Sequence, residues 1–312
     1  MEFFGTNYLN VRNNYLLPRL NYGIKRNKIE YWSLKDVLTK KLISLNKLNG
    51  KSIEVEISQD DYYKSIHCDI ELFMNKSMIQ YTDFVNQKEI SKTWSFVTFY
   101  YFSFFTVTCL FRFLNKGFLF FSSEQIRRFE QFSLAVHSNP INLSVGNYYF
   151  SVKEINAYGN VVIIISEKGD SVHKSTWLQL ETTLREFLTN CDSDEAALYN
   201  LLLSHFSKFK SEYPSNLRNK LNYNGESSLL DIDNNIPIVE LQKINQQFFS
   251  DLAKIDPNIN NNSNQMNSIS FLASYFFEFN QKLHKEYLER SKFGKDFSSE
   301  RENYLKVKKV KL

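Results

Sequence analysis

The sequence predicts a mainly α protein with a small α+β N-terminal lobe and a two-stranded β insertion. Three observations carry that prediction. Phe (28) and Tyr (18) are abundant while Gly (9) and Pro (5) are scarce, a balance that suits long helices better than a turn-dense all-β chain. Residues 93–111 run without a charged side chain or a helix breaker. β-branched and aromatic runs of strand character are confined to a few short stretches. A chain of 312 residues, 43% hydrophobic and 16% aromatic, can bury a substantial core, which excludes general disorder.

Residues 1 to about 30 read as a polar, irregular opening. Ser33-Leu34-Lys35-Asp36 has the form of a capping box, with Leu38, Leu42, Ile43 and Leu45 following at helical spacing up to a stop at Asn49-Gly50. Ile53 to Ile57 alternates as a short strand, and Tyr62 to Asn86 fits neither period cleanly. These elements make the N-terminal lobe, residues 1–88.

A helix is predicted over residues 89–116, stopped by Asn115-Lys116-Gly117. At about 100° per residue, Ser95, Thr98, Ser103 and Thr106 fall within about 140° of arc, a stripe that lets another helix approach closely. Phe118 to Phe121 follows as a buried turn or strand. Ser122 to Val136 reads as a helix capped by Ser122 or Ser123. Asn147 to Val152 and Asn160 to Ile165, joined through Tyr158-Gly159, make the insertion at about 143–168. Helices are then predicted over 173–190, over 196–209 behind the cap Asp192-Ser193-Asp194-Glu195, and after Pro214 up to Asn224-Gly225. Residues 258–267 read as an Asn-rich loop, and 266–292 as an amphipathic helix before a basic tail, Lys306 to Lys311. The expected domains are 1–88, 89–250 and 251–312.

Two stretches carry a family resemblance. Phe99-Tyr100-Tyr101-x-x-Phe104-Phe105, followed by Leu110-x-Arg112-x-Leu114, resembles the Tyr-Tyr-x-x-Phe helix of many HEPN proteins. Leu217-Arg218-Asn219-Lys220-Leu221-Asn222-Tyr223 resembles the HEPN signature, an Arg, a polar residue, four to six residues and a His, with Tyr223 where the His belongs. The resemblance covers residues 89–223, interrupted by the β insertion, and implies a HEPN-like helical bundle. It also implies RNA- or nucleotide-directed activity in a microbial toxin or anti-phage defence setting, with Arg218, Asn219 and Tyr223 as catalytic positions and Lys220 and Asn222 as ligand contacts. Such an enzyme works as a ribonuclease without metal or cofactor.

The residue chemistry bounds that expectation. An imidazole titrates near neutrality, whereas a phenol, with a pKa of about 10, is a poor general base there. On an ideal helix Arg218 and Asn222 lie about 40° apart but Arg218 and Tyr223 about 140°, so the first pair makes the better joint contact. The structural alternative has Arg218 paired with a neighbouring carboxylate and Asn222 ending the helix. His205, nearest in sequence among the five histidines, is a candidate to supply the missing imidazole; its neighbours Leu203 and Phe206 equally suit a packing role.

Other function classes leave weaker traces. The net charge of +4 is compatible with a nucleic-acid partner and diagnostic of nothing. Cys68, Cys109 and Cys191 are dispersed, without C-x-x-C spacing, which fits a reducing cytoplasm; His67-Cys68 has no second ligand pair, so no metal is expected. Asp231-x-Asp233-x-Asn235 lacks the Gly and Glu of a calcium loop, holding Ile236 and Gln242 there. The opening Met1-Glu2-Phe3-Phe4-Gly5 is unlike a signal peptide. Residues 93–111 are long enough to cross a bilayer, but two tyrosines, a hydroxyl stripe and weak flanking asymmetry favour a buried core helix. The alternatives to the HEPN-like reading are a non-catalytic interaction subunit of a multiprotein complex, with a homodimer or protein partner, and a membrane-anchored protein.

Overall fold

The computed structural model describes residues 5–23, 32–48, 51–86, 91–137, 141–223, 256, 258–294 and 303. The chain is mostly helical with one antiparallel five-stranded sheet. It divides into two compact units, neither continuous in sequence. One comprises Met1–Arg12, Phe73–Leu110 and His173–Lys282; the other comprises Asn13–Leu72, Phe111–Val172 and Leu283–Leu312. Where the sequence suggested consecutive domains, these units interleave.

In order, the elements are α1 (Thr6–Val11), a π turn (Arg12–Leu16), a 3-10 turn (Leu17–Arg19), α2 (Leu34–Lys40), β1 (Leu42–Lys47), β2 (Ser52–Ser58), α3 (Gln59–Asn86) and α4 (Lys92–Phe113). Then come β3 (Lys116–Phe121), α5 (Ser123–His137), β4 (Gly146–Ile155), β5 (Asn160–Lys168), α6 (Val172–Leu188), α7 (Ser193–Phe209), α8 (Tyr213–Tyr223) and α9 (Asn262–Arg290). Several expectations need correction. The irregular opening holds α1 and two further turns, and Leu42 to Leu45 extends as a strand rather than continuing α2. Tyr62 to Asn86 lies within one long helix, and α9 starts inside the Asn-rich stretch. The stops at Asn49-Gly50 and Asn224-Gly225, the calcium-like run and the basic tail lie outside the described residues.

The sheet-bearing unit revises the two-stranded insertion. β4 and β5 form the predicted hairpin, turned through Gly159 at φ 77°, but β5 also pairs with β2 over its length. The strand order is β1-β2-β5-β4-β3. Ile53, Val55 and Ile57 alternate inward and share a core with Val161, Ile163, Ile165, Tyr148 and Phe150, covered by Leu34 and Leu38 of α2 and Ile126 and Phe129 of α5. The period of two that marked residues 53–57 as a strand is what puts three apolar side chains on one face.

Edge strand β3 is closed by an arginine rather than by another strand. Arg112, 1% exposed, donates from Nη1 to Lys116 O (3.2 Å) and from Nη2 to Phe118 O (2.8 Å), and its Nε is 2.7 Å from Asp69 Oδ2. Gly117 makes room for it: at φ 142°, a Cβ there would lie 1.9 Å from Nη1. The positive-φ residue that ends α4 is therefore not Gly117 but Asn115, at φ 56°. Arg19, fully buried, donates Nη2 to Phe113 O (2.6 Å) and Asn115 Oδ1 (2.7 Å), setting a cation on the carbonyl end of α4 where the helix dipole favours it.

The helical unit is built around residues 92–110 of α4. Phe99 packs on Phe84 of α3, Phe102 on Tyr81 and on Phe277 of α9, and Asn280 of α9 donates to Thr106 O at 2.8 Å. Ser95, Ser103 and Thr106 are buried, so most of the hydroxyl stripe faces other protein groups; Ser103 Oγ returns to Phe99 O. Lys92–Phe113 has the length and mean hydropathy (1.4) of a membrane span, and 78% of that window is buried inside the protein. At α7, Asp192 caps Glu195 N as the sequence indicated, and the buried Glu195 accepts from the backbone N–H of Gly5 and Asn7.

Candidate functional site

The candidate motif sits on α8, within the helical unit. Pro214 in the first turn removes an N–H that would lack an intrahelical partner, and Leu217 and Leu221, one turn apart, are buried. Tyr213 anchors the start of the helix, its hydroxyl 2.7 Å from Ser268 Oγ of α9. Amphipathicity then divides the motif. Arg218 shares the inward face and is 9% exposed, while Asn219 and Lys220 are exposed, Asn222 is half-buried and Tyr223 is 77% exposed. The helix does not bring Tyr223 to Arg218. Among the described residues, Lys220 reaches Asn262, with Nζ 3.4 Å from Oδ1.

Arg218 lies over the ring of Tyr100, its guanidinium carbon 5.3 Å from the ring centroid. The residue that α4 contributes is thus the first tyrosine of the Tyr-Tyr pair. Arg218 Nε is buried without a hydrogen-bond partner among the described residues, and no carboxylate among them forms an ion pair with the guanidinium. The acidic neighbour expected on the structural alternative is absent from those residues. Its environment differs from those of the other two arginines buried among the described residues, since Arg112 has Asp69 and Arg19 has the carbonyls ending α4. A cation–π contact offsets part of a buried guanidinium's desolvation, about 0.5–2 kcal/mol, whereas the effective penalty for burying an ion is several kcal/mol.

A polar chain runs from Tyr100 to a histidine the sequence left without a role. Trp177 Nε1 of α6 donates to the Tyr100 hydroxyl at 3.2 Å, and that hydroxyl lies 3.1 Å from Nδ1 of His173, also on α6. An indole N–H only donates, so the phenol accepts from Trp177; a phenol proton directed to Nδ1 goes with the imidazole proton on Nε2, and the other tautomer donates from Nδ1 to the phenol oxygen. His173 is half-buried against Phe104, with ring centroids 4.5 Å apart. Burial, and then the Arg218 charge, lower its pKa to about 4. Burial raises the Tyr100 pKa, opposed by hydrogen bonding from Trp177, the Arg218 charge, and hydrogen bonds from Ser215 and Arg218. At neutral pH the group therefore consists of one cation, one neutral imidazole and one phenol.

His205 is placed elsewhere. Its Nδ1 is 2.7 Å from Ser268 Oγ, the same hydroxyl that meets Tyr213, and burial lowers its pKa to about 4. It packs in the core between α7 and α9 rather than replacing the motif imidazole. Sequence reasoning missed His173 because it stands some 45 residues before Arg218 (218 − 173) with no local pattern of its own. The one available signal was the Tyr-Tyr helix: a second helix had to cover Tyr100, and α6 opens with a histidine. Among the described residues no group of three or more His, Cys, Asp or Glu side chains is arranged to hold a metal ion. Comparison with protein-family models, curated proteins and solved structures found no match.

Proposed function

We propose that this chain is a HEPN-like RNA- or nucleotide-directed protein of a microbial toxin or anti-phage defence system, and that it binds phosphate at Arg218. The observation that carries the reading is a guanidinium nine-tenths buried, without an ion-paired carboxylate among the described residues, over a phenol ring whose hydroxyl meets an imidazole nitrogen. Arginine suits this task because its planar fork matches two phosphoryl oxygens at once. Contact between Arg218 and the Tyr-Tyr helix further supports the resemblance, since the two stretches that suggested it meet in one site. The reading places binding ahead of cleavage. Tyr223 is solvent-exposed and poorly matched to base catalysis, and an imidazole lowered to a pKa of about 4 is a weak proton acceptor at neutral pH. Action in the cytoplasm is part of the proposal, supported by the buried α4 window and three free cysteines.

The test is binding of labelled single-stranded RNA to the full chain and to Arg218→Ala, His173→Gln and Tyr223→Phe, with folding checked by circular dichroism and cleavage followed in the presence of a chelator. Loss of affinity in Arg218→Ala, a smaller loss in His173→Gln and none in Tyr223→Phe supports the reading. Metal-free cleavage abolished by Tyr223→Phe would make the tyrosine chemical and overturn the order of roles. No RNA bound by the wild type leaves the interaction-subunit reading in its place.

A further inference from the structure

Beside the Arg218 centre, the helical unit carries a row of half-buried aromatic rings on α3, α4 and α6. His173 and Tyr101 have ring centroids 5.8 Å apart, Tyr101 and Phe105 are 6.0 Å apart, and Phe105 and Phe73 are 6.2 Å apart. Tyr101 and Phe105 stand one helical turn apart on α4, so they share a face, and Phe73 of α3 continues it. Lys76, one turn beyond Phe73, holds Nζ 5.5 Å from the Phe73 centroid and 5.3 Å from that of Phe105. Lys76 forms no ion pair with a carboxylate among the described residues. None of Phe73, Lys76, Tyr101, Phe105 and His173 belongs to the buried core.

We infer that this row is a track for single-stranded RNA: one phosphate sits at Arg218, successive bases stack along Tyr101, Phe105 and Phe73, and Lys76 meets a second phosphate. The inference rests on the phosphate-binding reading of Arg218. Half-buried rings in a connected row, with the cations Arg218 and Lys76 at its two ends, match a chain of bases joined by phosphates. Stacking tolerates any base, so the track selects for single strands rather than for sequence; a duplex keeps its bases stacked on one another. The order of groups also sets the span of the strand, with the Arg218 phosphate at one end and the Lys76 phosphate at the other.

The experiment compares uridine 5′-monophosphate with a labelled oligouridylate, by calorimetry and fluorescence anisotropy, on the full chain and on Arg218→Ala, Lys76→Glu and Phe105→Leu. Lys76 is half-buried with its ammonium over the Phe73 and Phe105 rings, so Lys76→Glu gives a second, charge-based test of the track beside Phe105→Leu. The oligonucleotide should bind more tightly than the mononucleotide. Lys76→Glu and Phe105→Leu should each weaken oligonucleotide binding on the order of tenfold while leaving mononucleotide binding unchanged. Oligonucleotide binding that depends on Arg218 but is indifferent to both track variants overturns the track and leaves the Arg218 reading standing. Binding that falls in Lys76→Glu but not in Arg218→Ala overturns the Arg218 reading and, with it, the proposed register of the strand. Absence of any RNA binding overturns both.

Discussion

Replacing Arg112 by Met should be among the most damaging single changes in the sheet-bearing unit. The side chain is 1% exposed and holds, among other contacts, the Asp69 carboxylate at 2.7 Å, Lys116 O at 3.2 Å and Phe118 O at 2.8 Å. Methionine fills much of the volume but leaves a largely buried carboxylate without its cation and two edge carbonyls without donors. Breaking a buried ion pair from one side costs about 3–5 kcal/mol, and each orphaned carbonyl carries about 1–3 kcal/mol if water cannot reach it. Because one residue makes all three contacts, these terms do not add, and about 3–5 kcal/mol is the expected loss. Against a total stability of about 5–15 kcal/mol this is a large fraction, lowering the urea midpoint by on the order of 1 M. Urea titrations followed by circular dichroism measure it. The double variant Arg112→Met with Asp69→Leu should recover part of the loss, since the stranded carboxylate is gone. Stability of Arg112→Met within about 0.5 kcal/mol of wild type would refute the argument, because that is the range of an ordinary surface substitution.

Two further outcomes follow from the same contacts. Gly117→Ala places a methyl 1.9 Å from Arg112 Nη1 at a φ of 142° that L residues rarely adopt; a loss of at least about 1–3 kcal/mol is expected in the same titration, and a neutral result would contradict the close approach. His173 and His205, both lowered to about 4, bind fewer protons folded than unfolded between about pH 6.5 and 4, so their contribution to stability is complete above the unfolded value and is lost as pH falls through that window. Thermal melts across that range should show the decline, and NMR titration should find His173 neutral at pH 6, with its pKa rising when inorganic phosphate is added. A normal His173 titration near 6.5 without ligand would show that burial and Arg218 do not act on it.

Local signals in the sequence specify their elements where they are self-contained. The period-two run at 53–57, the Asp192 cap and the uncharged 93–111 segment each specify their element from within, and β2, α7 and α4 are where those signals put them. Errors arose where the deciding partner is remote. Leu42 to Leu45 has helix-compatible spacing, and only pairing with β2 makes it a strand; β4 and β5 look like a self-sufficient hairpin until β2 adds to their edge. Gly117 was legible as special, but its reason is the Arg112 guanidinium rather than a helix end. At the candidate site the motif gave Arg218 and nothing more. That Arg218 turns inward follows from Leu217 and Leu221 on the same helix; that it meets Tyr100, and through it His173 and Trp177, depends on how α4, α6 and α8 pack. Tyr223 was drawn into the motif by spacing alone, and the same amphipathic turn that buries Arg218 sends it to solvent.

The central claim is that the Arg218 charge is kept for a ligand and not for the fold, and Arg218→Met separates the two. Methionine keeps apolar contact with Tyr100 and removes a buried cation that has no carboxylate among the described residues, so the account predicts unchanged or slightly raised stability, by up to about 1–2 kcal/mol, together with at least about tenfold weaker binding of single-stranded RNA. Destabilisation beyond about 2 kcal/mol with RNA binding unchanged in the folded fraction would show that the guanidinium serves packing alone, and would contradict the account.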